Sequence, residues 1–307
     1  MIQNRKSQIQ EINNRLEEIK KTASPSQLYA IEQNLIFFRA AQSFIHYFGW
    51  LFTVAKKIEG RKLLELSDFG VPAWEKELQN RLINMERKSF PGMITPLKKT
   101  IVEFILKNEP KILADLGSGG MEVERQIIIE LKKRNYQNKL IFLGIDQSPI
   151  VHEIAKENLQ GIKGISDIIE IDQISPATMT DLQKKSTAQY LIFLSSNDIF
   201  KLTNQFPKQS INLIYYSKFR HHLNEDQKNE LDKITTTLAK TVMEYDDYRS
   251  WFLMIPQSIA TWKYPVLMNG AIFSRLRDLT KKELRRSMKD NWKIHFYLVG
   301  SYLKTYK

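Results

Sequence analysis

Leu113-Ala114-Asp115-Leu116-Gly117-Ser118-Gly119-Gly120 is the stretch of sequence that decides the fold class. It begins as a short apolar run, becomes glycine-rich and is followed by a helical pattern. A buried strand that ends in such a turn before a helix is typical of a parallel α/β sheet. Glycine lets the main chain adopt unusual angles and approach a ligand closely. The loop therefore predicts a ligand site beyond the carboxyl end of the first strand.

A second acidic residue follows the next predicted strand. Residues 140–145 are apolar, and Asp146 comes directly after them. An acidic residue at such a strand end accepts hydrogen bonds from ribose hydroxyls. A dinucleotide site is the rival interpretation, but it requires a third glycine where Glu122 stands, and that carboxylate would repel a pyrophosphate. A nucleoside with a positive charge and no phosphate, S-adenosylmethionine, suits Asp115 and Asp146 better.

The rest of the chain supports a sheet domain that follows a helical region. Apolar patterns at helical spacing predict helices over most of the first 94 residues, one of them aromatic and spanning 27–59. From residue 95 onward, predicted strands alternate with helices, which indicates a mostly parallel sheet. The strands are expected at 140–145, 190–194, 211–216 and 251–255, with closing strands in 292–302. We predict a helical region, 1–94, that acts as a cap or in oligomerisation, and a cofactor-binding domain, 95–307.

Composition excludes several classes of protein. The chain has 307 residues and no cysteine, which excludes disulfides, thiolate catalysis and cysteine-bound zinc. No spacing of histidine and carboxylate predicts a metal site. The net charge of +12 is compatible with nucleic acid, but the cations are spread along the chain, so nucleic acid is not favoured. Without a signal peptide or spanning segment we expect a cytoplasmic protein; interfacial membrane contact by the apolar window 35–55 is the less favoured alternative.

The motifs together resemble class I S-adenosylmethionine-dependent methyltransferases. The glycine loop and the segment 144–149 carry the resemblance, which covers the chain from about residue 95 to the end. Further along, 196–198 and 217–223 look like the motifs that follow the third and fourth strands of that family. The segment 270–284 resembles the small-molecule, ubiquinone-methylase-like branch. The fold class implied is α/β, a Rossmann-like class I methyltransferase sheet with flanking helices, here with an N-terminal all-helical region.

This resemblance assigns cofactor contacts by position. It implies that the methionine end of the cofactor lies on the glycine loop, the ribose after the second strand, and the adenine after the third. Asp172 is an alternative to Asn197 for the adenine contact. The residues assigned to the cofactor are Asp115, Gly117, Ser118, Gly119, Asp146, Gln147, Asn197, Asp198 and Ser217.

Candidates for chemistry and acceptor binding follow the fourth and fifth strands. His221 or His222 is predicted to take a proton from the acceptor, although the capping pattern of the next helix offers a purely structural explanation for both. Tyr216, Trp262 and Tyr264 are predicted to contact the substrate. The aromatic N-terminal helix is expected either to roof an apolar pocket or to form core or a dimer face.

The sequence thus predicts an S-adenosylmethionine-dependent methyltransferase. We expect methyl transfer to an oxygen or nitrogen of a small-molecule acceptor, with homodimerisation through the N-terminal helices. An RNA or protein methyltransferase and a non-catalytic interaction module that keeps the fold are the alternatives.

Overall fold

The chain divides into two compact units. The computed structural model describes residues 2–87, 94–171, 175–288, 291–297 and 301–306. One unit comprises Met1–Leu78 with Asp247–Leu284, and the other comprises Gln79–Asp246 with Arg285–Lys307. This division differs from the predicted boundary at residues 94 and 95. The late segment joins the N-terminal helices, and residues 79–87 join the sheet.

The second unit is built on an eight-stranded sheet in the order β3-β4-β2-β1-β5-β6-β8-β7. Strands β1 to β6 pair in parallel, and β7 pairs with β8 in antiparallel fashion. A mostly parallel sheet is what the alternation of predicted strands and helices indicated. The predicted fold class is therefore confirmed. The strands are β1 (Ile112–Leu116), β2 (Leu140–Ile145), β3 (Ile165–Glu170), β4 (Tyr190–Ser195), β5 (Ile211–Ser217), β6 (Ala239–Asp247), β7 (Trp292–Phe296) and β8 (Ser301–Tyr306).

Both faces of the sheet are buried, which explains why its central strands are continuous apolar runs. Adjacent residues Leu113 and Ala114 of β1 belong to two different core clusters. One cluster lies between the sheet and three helices, α5 (Thr95–Asn108), α6 (Glu122–Lys133) and α7 (Pro149–Leu159). The other lies beneath α8 (Pro176–Lys185) and α9 (Glu225–Leu238).

Two predicted helix starts are confirmed. Pro149 is the first residue of α7 and Ser148 occupies its N-cap position. The Asn224 side chain accepts a hydrogen bond from the Gln227 backbone at 2.9 Å, and the Gln227 side chain accepts from the Asn224 backbone at 3.0 Å. This reciprocal pair satisfies two backbone donors that the helix itself leaves free.

The first unit is helical. It contains α1 (Ile2–Lys20), α2 (Pro25–Ala40), α3 (Phe44–Thr53), the start of α4 (Pro72–Arg87), α10 (Trp251–Thr261), α11 (Pro265–Arg277) and most of α12 (Lys281–Arg286). Phe37 of α2 packs edge-on against Phe273 of α11, with ring centroids 5.3 Å apart. The buried Asn269 donates to the Asn34 side chain at 2.7 Å. These contacts join the early helices to the late segment.

Three secondary-structure predictions were wrong. The aromatic helix expected over 27–59 is two helices, α2 and α3, separated by a turn before Ser43. The fifth strand, expected at 251–255, is β6, and 251–255 begins helix α10. Strand β3 was not predicted. The apolar run 251–255 is compatible with either structure, because short runs carry no clear period.

Among the described residues, no helix combines the length and the apolar character needed to cross a bilayer.

Candidate functional site

The candidate site lies where the parallel strands of the second unit end. The register pairs Asp115 of β1 with Gly144 of β2 and with Tyr215 of β5. Ser217, the last residue of β5, pairs with Tyr245 of β6. Because parallel strands end at the same edge, the loops that follow them are neighbours in space. The residues predicted for the cofactor and for proton transfer thus come from adjacent loops.

The glycine loop is held against the end of β2. The backbone N–H groups of Gly117 and Ser118 both donate to the Ile145 carbonyl, at 2.8 and 3.2 Å. Gly117 has φ +69° and Gly119 has φ +50°, which are left-handed conformations that favour glycine. The expectation that these glycines permit an unusual backbone path is confirmed.

Asp146 forms hydrogen bonds both to the glycine loop and to the loop that follows β2. Its Oδ2 accepts from the Gly119 backbone and its Oδ1 from the Ser148 backbone, each at 3.1 Å. Burial raises the pKa of Asp146, although these two donors and the nearby His152 and His222 act in the opposite direction. A carboxylate has about four acceptor directions. Two backbone bonds therefore leave acceptor capacity for hydroxyl groups of a ligand.

Several polar atoms of this unit are buried without a hydrogen-bond partner among the described residues. Among them are Ser118 Oγ on the glycine loop and His152 Nε2 on α7. Ser118 Oγ lies 2.9 Å from the position that a Cβ on Gly144 would take. The great majority of buried polar atoms in proteins are hydrogen-bonded. Both atoms are consequently able to bind a polar group at this edge.

The chain's own side chains also lie against the glycine loop. A Cβ on Gly117 would be 2.4 Å from the Phe219 ring, and a Cβ on Gly119 would be 3.0 Å from the Gln79 amide oxygen. The glycines are thus required for close packing within the protein as well as for the backbone angles. Sequence analysis missed both neighbours. Phe219 stands beside the predicted histidines, whereas no pattern pointed to Gln79.

Asp115 takes part in a buried acidic cluster beneath the loop. Its carboxyl group is hydrogen-bonded to that of Glu124, to which the Tyr215 hydroxyl also donates. Burial raises the pKa of Glu124 and of Tyr215. The hydrogen bonds with Asp115 and Tyr215 act on the pKa of Glu124 in the opposite direction. Sequence analysis missed Glu124; its signal was an acidic residue on the apolar face of α6, three positions before Ile127.

His221 forms a buried pair with Asp246 at the ends of β5 and β6. Its Nδ1 lies 3.0 and 3.1 Å from the two carboxylate oxygens of Asp246. An aspartate beside Nδ1 favours the tautomer in which Nδ1 carries the proton and Nε2 is an acceptor. His222 stacks beside His221, with ring centroids 4.3 Å apart. Asp246 was missed because the fifth strand had been predicted too late in the chain.

An ion cluster anchors the turn that carries these histidines. Arg220 pairs with Asp232 at 2.6 Å and with Glu244 at 3.8 Å, and Lys304 pairs with Glu244 at 3.2 Å. Burial would raise the pKa of Glu244, but Lys304 and Arg220 hold it at about 2. The Tyr216 hydroxyl donates to Glu244 at 3.1 Å. Tyr216 is therefore part of this cluster, and its predicted substrate contact stays a prediction.

Two non-glycine residues beside the site have left-handed backbones. Lys218 has φ +55° and follows β5, and Met121 has φ +53° and precedes α6. The Lys218 backbone donates to the Tyr245 carbonyl at 2.9 Å, which holds the turn in this conformation. Backbone strain of this kind persists where the surroundings enforce it and clusters at functional sites.

The residues predicted to contact adenine make local hydrogen bonds. The Asn197 side chain donates to Ser195 Oγ at 2.6 Å. Asp198 caps the 3-10 helix Ile199–Asn204 by accepting a backbone hydrogen bond at 3.0 Å. Gln147 is exposed. Their cofactor contacts stay predictions, as does the contact of Ser217, and Asp172 lies outside the described residues.

Trp262 and Tyr264 lie in the first unit. The Arg5 guanidinium stacks 4.0 Å from the centre of the Trp262 ring, and Lys263 lies over Tyr264 at 4.8 Å. These are cation–π contacts. The predicted role of both residues in substrate binding stays a prediction.

Comparison with known proteins finds only solved structures that are remotely similar to this chain. No protein family and no curated protein matches the sequence. Among solved structures, the plantazolicin methyltransferase BpumL, crystallised with a pentazolic analogue and SAH, is 12% identical with a TM-score of 0.47, over 76% of this chain and 93% of that one. The magnesium protoporphyrin IX methyltransferase of Synechocystis PCC 6803 is 13% identical with a TM-score of 0.42, over 68% and 81%.

The methyltransferase domain of a bacterial Hen1 protein gives similar values. It is 15% identical with a TM-score of 0.42, over 73% of this chain and 98% of that one. These likenesses carry no argument about function. The assignment of the fold class depends on the strand order of this chain and not on these similarities.

Proposed function

We propose that the second unit is the catalytic domain of a cytoplasmic S-adenosylmethionine-dependent methyltransferase that acts on an oxygen or nitrogen of a small-molecule acceptor. One observation carries the proposal. Asp146 ties the glycine loop to the end of β2, and the buried His221–Asp246 pair stands on neighbouring strand ends of the same sheet. The proposed cofactor site and the proposed proton acceptor thus lie at the same edge of the sheet.

The residues at this edge suit a nucleoside cofactor. Asp146 keeps acceptor capacity for ribose hydroxyls, and Ser118 Oγ is a buried group able to bind the ligand. The positive φ angles of Gly117 and Gly119 shape the loop on which the resemblance places the methionine end. When bound, S-adenosylmethionine supplies a methyl group attached to a positively charged sulfur. The acidic residues of the edge favour such a charge.

His221 is the proposed proton acceptor. Asp246 holds the imidazole through Nδ1, and Nε2 is the nitrogen that we propose accepts a proton from the acceptor hydroxyl or amine. The Asp246 carboxylate then stabilises the imidazolium that forms. General-base assistance of this kind contributes about 10²- to 10⁴-fold in rate. Of the two predicted histidines we assign the proton transfer to His221, because the Asp246 carboxylate orients its ring.

Calorimetry with S-adenosylmethionine tests the cofactor site. Asp146→Ala should raise Kd about 10- to 100-fold, since buried hydroxyl partners would be left unsatisfied. Asp181→Ala is the matched control, because Asp181 is an exposed carboxylate on α8. Equal affinity of wild type and Asp146→Ala would reject the ribose assignment. Absence of any binding by wild type would favour the non-catalytic interaction module.

Turnover tests the proton acceptor. Release of S-adenosylhomocysteine would be followed on fractions of a metabolite extract, with His221→Ala and His222→Ala compared. We expect His221→Ala to lower kcat at least 100-fold while Kd for the cofactor is unchanged. His222→Ala should retain most activity. Turnover on RNA instead of small molecules, with binding that weakens steeply as salt rises, would identify the RNA alternative that the +12 charge allows.

A further inference from the structure

Helix α3 of the first unit exposes apolar side chains along one face. Phe44, Ile45 and Phe52 are 47%, 80% and 47% exposed. Residues 44, 48 and 52 are spaced four apart, and 45 lies seven before 52, so they form one stripe. The opposite face, with Tyr47, Trp50 and Leu51, is buried. The helix is therefore apolar on both sides, and the side that carries Phe44, Ile45 and Phe52 stays largely exposed.

Helix α10 has the reverse of an ordinary amphipathic pattern. Its buried face carries Met254 and the polar Ser258 and Thr261, whereas Phe252 and Ile259 are 80% and 56% exposed. The exposed pair is spaced by seven residues, which places both on one face. Packing of apolar side chains into the core of this unit does not by itself explain why the helix buries hydroxyl groups and exposes phenylalanine and isoleucine.

Two side-chain contacts connect α3 with α10 and the residue that follows it. The Tyr47 hydroxyl is hydrogen-bonded to Ser258 at 2.6 Å, and the Phe44 ring contacts the Trp262 ring at a centroid distance of 5.0 Å. The earlier residue of α3 thus contacts the later residue of the α10 segment, which indicates that the two helices run in opposite directions. Their exposed residues make up the α3/α10 face, which comprises Phe44, Ile45, Phe52, Phe252 and Ile259.

The chain around this face is basic. No aspartate or glutamate occurs at positions 33–58 or 248–277, whereas Arg39, Lys56, Lys57 and Lys263 are all exposed. Lys56 Nζ lies 5.7 Å from the centre of the exposed Phe52 ring. Aromatic and aliphatic residues bordered by lysine and arginine, on two segments that contain no carboxylate, match the surface of a membrane that carries anionic lipids.

We propose that the α3/α10 face binds peripherally to the surface of an anionic phospholipid bilayer. The apolar side chains enter the boundary between headgroups and acyl chains, and the surrounding cations contact lipid phosphates. A symmetric dimer through the same face is disfavoured, because a two-fold axis would bring identical cations together. The proposal does not depend on the methyltransferase assignment.

Vesicle flotation of the full chain tests the proposal. Vesicles of phosphatidylcholine alone are compared with vesicles of equal parts phosphatidylcholine and phosphatidylglycerol, at low and high salt. The variants are Ile45→Ser, Phe252→Ser and the double change Lys56→Gln with Lys57→Gln. The matched control is Leu106→Ser on α5, where the leucine is 37% exposed in the other unit. Circular dichroism and thermal unfolding verify that each variant is folded.

Wild type should float with the anionic vesicles, more strongly at low salt. Each apolar substitution should lower the partition coefficient about tenfold. The two lysine changes together should lower it about 25-fold, roughly fivefold per charge, and remove the preference for anionic lipid. The Leu106 variant should bind as wild type does.

Three results would overturn the proposal. One is wild type that fails to float with anionic vesicles. Another is binding that Ile45→Ser and Phe252→Ser leave unchanged. The third is a light-scattering result in the absence of lipid in which wild type is a dimer and Ile45→Ser is a monomer. That result would assign the face to a second copy of the chain and support the predicted homodimer.

Discussion

Replacing the Glu244 carboxylate by an amide should remove a pH-dependent part of the stability of the second unit. Glu244 is fully buried in β6, where Lys304 lies at 3.2 Å and Arg220 at 3.8 Å. Glu244→Gln keeps the shape of the side chain but takes away the charge that both cations face. Breaking one member of a buried ion cluster is strongly destabilising, because the remaining charges stay buried.

The magnitude follows from the pKa of Glu244, which is about 2 in the folded protein against an ordinary value of 4.5. A difference of roughly 2.5 pH units corresponds to about 3 kcal/mol of unfolding free energy. A lowered folded-state pKa stabilises the fold at pH values above the unfolded-state pKa, and this stabilisation is lost as pH falls through the folded value. This stabilisation is fully present at pH 7, and about 2 kcal/mol of it is lost by pH 3.

Urea unfolding at pH 7 and pH 3 measures this difference. Wild type should exceed Glu244→Gln by about 3 kcal/mol at pH 7 and by about 1 kcal/mol at pH 3. Comparing the two proteins cancels the titration of all other carboxylates. Glu130→Gln is the control, because Glu130 also pairs with a cation, Arg134, but is only partly buried. It should differ little from wild type at either pH.

A gap between wild type and Glu244→Gln that stays constant from pH 7 to pH 3 would refute the reasoning. The loss would then come from packing or from a broken hydrogen bond, neither of which depends on ionisation of Glu244. A variant that is as stable as wild type at pH 7 would refute the ion cluster itself.

Asp246→Asn should lower kcat about 100-fold without changing cofactor affinity, because His221 loses the carboxylate that stabilises its charged form; equal kcat for both proteins would contradict this positioning role. Gly117→Ala should cost about 2–4 kcal/mol in urea unfolding, from a left-handed alanine and the clash with Phe219, and adding Phe219→Ala should restore part of it. Gln209→Gly should raise the free energy of unfolding by about 0.5–1 kcal/mol, since exposed Gln209 has φ +54°; a lower melting temperature would count against it.

Local signals made much of the sheet predictable. The predicted bounds of β2 and α9 agree with the structure, because an apolar strand and a capped helix carry strong signals of their own. Strand β3 and the helix at 251–255 were not predictable in the same way. Residues 251–255 lie in a helix whose exposed apolar face removes the periodicity on which such predictions depend.

The candidate site was predictable where neighbours in sequence are neighbours in space. The glycine loop and Asp146 follow directly from their strands. Glu124, Gln79 and Asp246 come from other elements, and only the packing of α6, α4 and β6 brings them to the loop or to His221. A single sequence contains no record of such long-range contacts.

The discontinuous path of the chain has a consequence during synthesis. Residues 1–78 leave the ribosome long before 247–284, with which they form one unit. At about 5–20 residues per second, the early helices wait roughly ten to thirty seconds for their partner. Throughout that interval Asn34 and Phe37 lack Asn269 and Phe273. The nascent chain therefore presents an unfinished aromatic surface, to which a chaperone that recognises apolar segments has access until the last fifth of the protein emerges.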